Sequence, residues 1–144
     1  MRKIHLTAVI TAALFSFISC KKSDNASNAK TVQNIAGSYN LTGLTWTALG
    51  VTANVYDSLP PCEKDNIFQF NADGSTHEID AKILCDPPQA DSVSTWGLSS
   101  KGDSLYLDNT PYLIKSWDGK TLVITGIVDN GPPVVTGVTT FVKQ

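Results

Sequence analysis

Arginine is nearly missing from this sequence. The chain of 144 residues holds 11 basic residues, and the only arginine among them, Arg2, stands at the N-terminus. A domain without arginine lacks the planar fork that grips carboxylates and phosphates through two parallel hydrogen bonds. With Arg2 and Lys3 set aside as part of a leader, nine lysines face 13 acidic residues, a net charge of about −4. That balance leaves no basic footprint for nucleic acid. Histidine is as scarce: of two, His5 falls in the leader and His77 is alone in the body. A single histidine excludes a zinc site built on several imidazoles, and any Ser-His-Asp triad would have to use His77. The three cysteines leave one over if the other two pair. No segment after the leader carries the 3.6-residue apolar period of a helix. No apolar run reaches the roughly 20 residues of a membrane-spanning helix.

What is present begins with that leader. Arg2 and Lys3 form a basic start, and residues 6–18 form an apolar stretch of signal-peptide length. It ends in Phe17-Ile18-Ser19-Cys20, which resembles the lipobox of bacterial lipoproteins, where cleavage before the cysteine is coupled to its acylation. The leader is therefore expected to span residues 1–19, with Cys20 as the lipidation site. Acylation also accounts for the odd cysteine, and several acyl chains anchor a protein stably where one does not. Residues 20–33 read as the acylated cysteine and a flexible polar tether. Lys21 directly after the cysteine is compatible with sorting to the outer membrane.

Residues 34–144 read as one all-β domain. Stretches rich in Val, Ile, Thr, Tyr, Trp and Leu fall at 35–47, 51–59, 65–71, 75–84, 93–99, 104–108, 112–117, 121–128 and 134–143. Gly, Pro, Asn and Asp separate them. Consecutive strands on tight turns argue an antiparallel meander, closed as a small up-and-down barrel of about eight strands that removes exposed edges. A β-sandwich is the alternative. Period-two alternation places Tyr39 and Leu41, Phe68 and Phe70, Ile79 and Ile83, Trp96 and Leu98, Leu105 and Leu107, and Leu122 and Ile124 on common faces. That volume fills most of a small barrel and argues against a large open cavity.

One segment lets the pairing be written out. With Asp73-Gly74 as a two-residue hairpin loop, Phe70 faces His77, Phe68 faces Ile79, Asp65 meets Lys82, and Cys62 faces Cys85. A one-residue slip, as a bulged turn would give, sets Phe68 against Glu78 instead. Only the first register brings the cysteines together, so a disulfide-clipped hairpin is expected. In an exported chain such a bond persists and contributes about 3 kcal/mol by restricting the unfolded chain.

Gly37-Ser38-Tyr39, Cys62-Glu63-Lys64-Asp65-Asn66 running into Phe68, Phe70 and Asp73-Gly74, then Cys85, Trp96-Gly97-Leu98, Ser104-Leu105-Tyr106-Leu107 and Thr140-Phe141-Val142-Lys143 follow in a recognisable order. That order resembles the lipocalin-like domain of cell-envelope lipoproteins from Bacteroidota-type bacteria. The resemblance covers nearly all of the chain after the tether and implies a barrel in the envelope more than any activity. In lipocalins proper the first strand carries Gly-x-Trp, with a late basic residue packed over the Trp. Here Tyr39 holds that position.

The chemistry expected is binding rather than catalysis. His77 reads as a partly buried strand histidine. Glu78 and Asp80 read as solvent-facing acids of an outer strand, with Lys82 beside them. Asn71-Ala72-Asp73-Gly74 lacks the further ligands and distal Glu of a calcium loop and reads as a turn. The aromatics Trp46, Trp96 and Trp117 default to core. The expectation is a non-enzymatic envelope lipoprotein, with no metal and no cofactor, held to the membrane through Cys20. Its barrel would bind a small apolar ligand through Tyr39, Phe68, Phe70 and Trp96, or a partner protein. The rival expectation is a structural subunit with a filled barrel.

Overall fold

The computed structural model describes residues 28–87 and 92–144. The expected leader, Cys20 and the expected tether through residue 27 lie outside the described residues, as do residues 88–91. Nine strands follow in order: β1 (Gly37–Ala48), β2 (Val51–Asn54), β3 (Ile67–Phe70), β4 (Ser75–Ile79), β5 (Ser92–Leu98), β6 (Ser104–Leu107), β7 (Thr110–Trp117), β8 (Thr121–Asp129) and β9 (Val135–Lys143). Two single-turn helices, α1 (Val32–Ile35) and α2 (Pro61–Lys64), precede β1 and β3. Each of β3 to β8 pairs antiparallel with the next, β1 pairs with β3, and β1 also pairs with β9. The sheet is thus an eight-stranded up-and-down barrel, and β2 is a hairpin arm folded onto the free length of β1 above β3. The sandwich alternative falls on the β1–β9 pairing.

Aspartates pin the turns. Asp73 Oδ1 accepts from the Ser75 amide and hydroxyl, Asp118 Oδ1 from the Lys120 and Thr121 amides, and Asp103 Oδ1 from the Ser99 and Ser104 hydroxyls. A short carboxylate that bonds its own backbone a few residues on fixes a turn without help from the core. The loop between β6 and β7 is Asp108-Asn109, both at positive φ, as a primed two-residue hairpin requires.

The ladder sorts the side chains into an inner and an outer layer. Leu41, Phe141, Leu122 and Trp117 face one another across β1, β9, β8 and β7. Leu98, Leu105 and Tyr112 do the same across β5, β6 and β7. With Ile35, Tyr39, Phe70, Trp96, Ile114 and Ile124 they form the core, in which Leu98 and Tyr112 are half-buried and the others buried. This core occupies one end of the barrel, where α1 packs Ile35 across the opening. The other end is ringed by the β1–β2 hairpin, α2, the segment after β4 and the loops after β6 and β8.

The Asp73 hairpin departs from the expected register. Phe68 opposes Glu78, Gln69 opposes His77, and Phe70 opposes Thr76. The Gly74 amide donates to the Asn71 carbonyl, the Asn71 amide to the Ser75 carbonyl, and Gly74 has φ +89°. The loop therefore has three residues, Ala72-Asp73-Gly74: a type I turn closed by a glycine bulge. The extra residue exchanges the two faces of β4. Ile79 opposes Ile67 on the outer wall and Ile83 is exposed, so neither belongs to the inner layer expected of them.

Cys62 and Cys85 are bonded, with Cα atoms 5.2 Å apart. They are not opposed strand residues. Cys62 sits in α2, and Cys85 lies in coil beyond the end of β4. Asp65 does not form an ion pair with Lys82. Its Oδ2 accepts from the Lys82 and Ile83 amides, both at 3.0 Å, and lashes this coil to the start of β3.

Candidate binding site

The barrel is filled at one end only. In the closed end Tyr39 is fully buried and touches Phe70 edge to face at 5.4 Å. Trp96 packs on Phe70 at 5.3 Å and donates its Nε1 to the Asn71 carbonyl at 2.7 Å. The Tyr39 hydroxyl donates to the Ile35 carbonyl, and burial pushes its pKa up, because the phenolate would lose its water.

Above this layer the short strands β3, β4 and β5 leave a cavity of about 160 Å³. Phe68, Phe70, Phe141 and Leu107 supply its apolar walls. Phe68 and Phe141 meet at 5.2 Å and Phe70 and Phe141 at 5.8 Å, both edge to face. Cavities of about 150 Å³ hold one benzene-sized molecule. The polar wall comes from the exchanged face of β4 and its neighbour, with Thr76, Glu78, Ser92 and Ser94. Register explains the grouping, since Phe68 opposes Glu78, Glu78 opposes Ser92, and Thr76 opposes Ser94.

Two side chains hold that polar wall in place. Asn66 is 1% exposed and donates Nδ2 to Glu78 Oε1 at 2.9 Å, while its own Oδ1 has no partner among the described residues. Ser94 Oγ donates to Asp108 Oδ2 at 2.6 Å. Asp108 lies below the usual carboxylate range because the Ser94 hydroxyl, then the Thr95 amide, hydrogen-bond its charged form.

Of the aromatics expected to bind ligand, Phe68 and Phe70 line the cavity, while Tyr39 and Trp96 pack in the closed end outside it. Trp117 is buried there too, and Trp46, 40% exposed, stands opposite Gly137 toward the open end. Glu78 corrects the reading of β4 as a solvent strand: it lies on the inner face. Asn66 was missed altogether. The signal for Glu78 was in Asn71-Ala72-Asp73-Gly74, since Asn at the first position and Gly at the fourth favour a type I turn. His77 lies on the opposite face from Glu78, between Gln69 and Val93. Among the described residues no group of three His, Cys, Asp or Glu is placed to hold a metal ion.

A second concavity, about 360 Å³, lies on the outer wall between β7, β8 and β9, lined by Pro111, Leu113, Ile127 and threonines. It is larger but shallow, and among the described residues no charged group lines it. The inner cavity, walled on several sides and carrying a carboxylate, is the better small-molecule site. Comparison with family models, curated proteins and solved structures finds no match to the chain.

Proposed function

We propose that this chain is a non-catalytic, lipid-anchored envelope protein of lipocalin-like design that takes a small, largely apolar ligand into the open half of its barrel. The observation that carries the reading is the half-filled interior. Tyr39, Trp96 and Trp117 complete the core of one end, while Phe68, Phe70, Phe141 and Leu107 wall a cavity next to it. A structural subunit has no need of that space, because voids cost stability. The lipocalin-like part of the reading is supported by Gly37, Tyr39 and Lys143, since the late lysine lies over the aromatic ring of the first strand. The anchor rests on the Cys20 motif, and the Cys62–Cys85 bond is in keeping with an oxidising compartment.

Native mass spectrometry of Cys20→Ser protein purified from its own host tests the ligand. A small molecule that leaves on denaturation is the expected result, and protein that is always empty and binds no aromatic probe refutes it. Detergent phase partitioning tests the anchor: the wild-type protein enters the detergent phase and Cys20→Ser stays in water.

The outer concavity favours a second reading, a partner protein docked on β7 and β8. Leu113 and Ile127 there are 61% and 51% exposed. Leu113→Lys would abolish such a complex and leave ligand binding untouched.

A further inference from the structure

We infer that the cavity ligand carries a cationic, hydrogen-bond-donating head: it is a primary amine with an apolar tail the size of one aromatic ring. The inference rests on the small-ligand reading above and adds the head group. Glu78 lies on a wall otherwise shared by phenylalanines, a leucine and hydroxyls, and among the described residues no lysine lines the cavity. Among the described residues Glu78 has one partner, the Asn66 amide on Oε1, which leaves Oε2 without one. Glu78 is half-buried on that wall, and its open Oε2 is an acceptor that a cationic donor brought by the ligand would fill.

Asn66 makes the carboxylate a fixed target. Its side chain is 1% exposed, so its amide cannot swing away, and it holds Glu78 Oε1 at 2.9 Å. An ammonium reaching Oε2 forms a charge-assisted hydrogen bond, about twice as strong as a neutral one. The tail then lies along Phe68, which is directly opposite Glu78 in the β3–β4 ladder, and against Phe141, whose ring is 5.2 Å from that of Phe68. The Glu78 carboxylate on the cavity wall repels an anionic head. Ser92, opposite Glu78 on β5, offers a hydroxyl to a second N–H.

Calorimetric titration of the Cys20→Ser protein near pH 7 with 2-phenylethylamine, 2-phenylethanol and 3-phenylpropionate tests this. The amine should bind about tenfold more tightly than the alcohol, and the carboxylate should not bind. Glu78→Gln keeps an acceptor for Asn66 and should bring the amine down to the affinity of the alcohol. Ser92→Lys, which sets a cation opposite Glu78, should abolish amine binding by itself. Equal binding of amine and alcohol, or a preference that survives Glu78→Gln, overturns the cationic head and leaves the apolar-ligand reading standing. No binding of any of the three overturns both.

Discussion

Lys143 lies over Tyr39: its Nζ is 5.9 Å from the ring centroid and donates to the carbonyls of Ala36 at 2.6 Å and Asn34 at 3.0 Å. It is also 6.0 Å from the ring of Trp117. The last strand thereby clasps α1 and the first strand over the closed end of the barrel. Gly37 is where that clasp passes. A Cβ there would stand 2.3 Å from Lys143 Cε, and its φ of +150° suits only glycine.

Lys143→Met should cost about 2 to 3 kcal/mol. It removes the cation from two rings and leaves two carbonyls to find other donors. Urea denaturation at pH 7 gives the figure from the change in midpoint. A loss below about 0.5 kcal/mol would reduce the clasp to a surface contact.

Tyr39 should make the fold sensitive to alkali. Its pKa is raised in the folded chain, so the native state holds the phenolic proton more tightly than the unfolded state does. The associated stability is complete below the ordinary tyrosine pKa of about 10 and is lost as pH rises above it. Tyr39→Phe lacks this term. Its midpoint should be lower at pH 7, for want of the bond to Ile35, yet fall less between pH 9 and pH 11.

The turn aspartates act in the opposite range. Asp73, Asp103, Asp108 and Asp118 all have lowered pKa values, the main causes being hydrogen bonds from Ser75, Ser99, Ser94 and Thr121 respectively. A depressed folded pKa contributes stability that is present above the unfolded value of about 4 and lost as pH falls below it. Asp118→Asn should therefore narrow the gap between thermal midpoints at pH 7 and pH 2.5, with the larger change at pH 7.

Reduction of Cys62–Cys85 should cost about 3 kcal/mol, because the bond closes a loop of 23 residues in the unfolded chain. Denatured, unreduced Cys20→Ser protein should show no free thiol on titration. The double variant Cys62→Ser/Cys85→Ser should unfold at a lower urea concentration and lose protection of the segment after β4 first, since Asp65 alone would then hold it.

Much of the fold was legible because local chemistry sets it. Asp118-Gly119 and the Asp73-Gly74 pair mark turns through residues that tolerate the backbone they need. The inner pairs Leu105 with Leu107 and Leu122 with Ile124 follow from alternation alone. The cysteine pair was legible by count, although the strand geometry invoked for it was not what joins them. The candidate site was half legible: Phe68 and Phe70 are in the cavity wall, and Glu78 was placed on the wrong side.

The sequence by itself determined the class of fold, the positions of most strands and the pairing of Cys62 with Cys85, since these depend on residue type and spacing. Only the tertiary structure decided which face of β4 looks inward, where the filled core ends and the cavity begins, and that Lys143 closes over Tyr39. A period of two reads equally well after a slip of one residue. The choice between the two registers is made by a bulge at Gly74 and by strands far apart in the chain closing the barrel, with β1 on β9. The closure of β1 on β9 carries no local signature, and together with the bulge it turns Glu78 from a surface acid into the one charged group among the described residues that line the cavity.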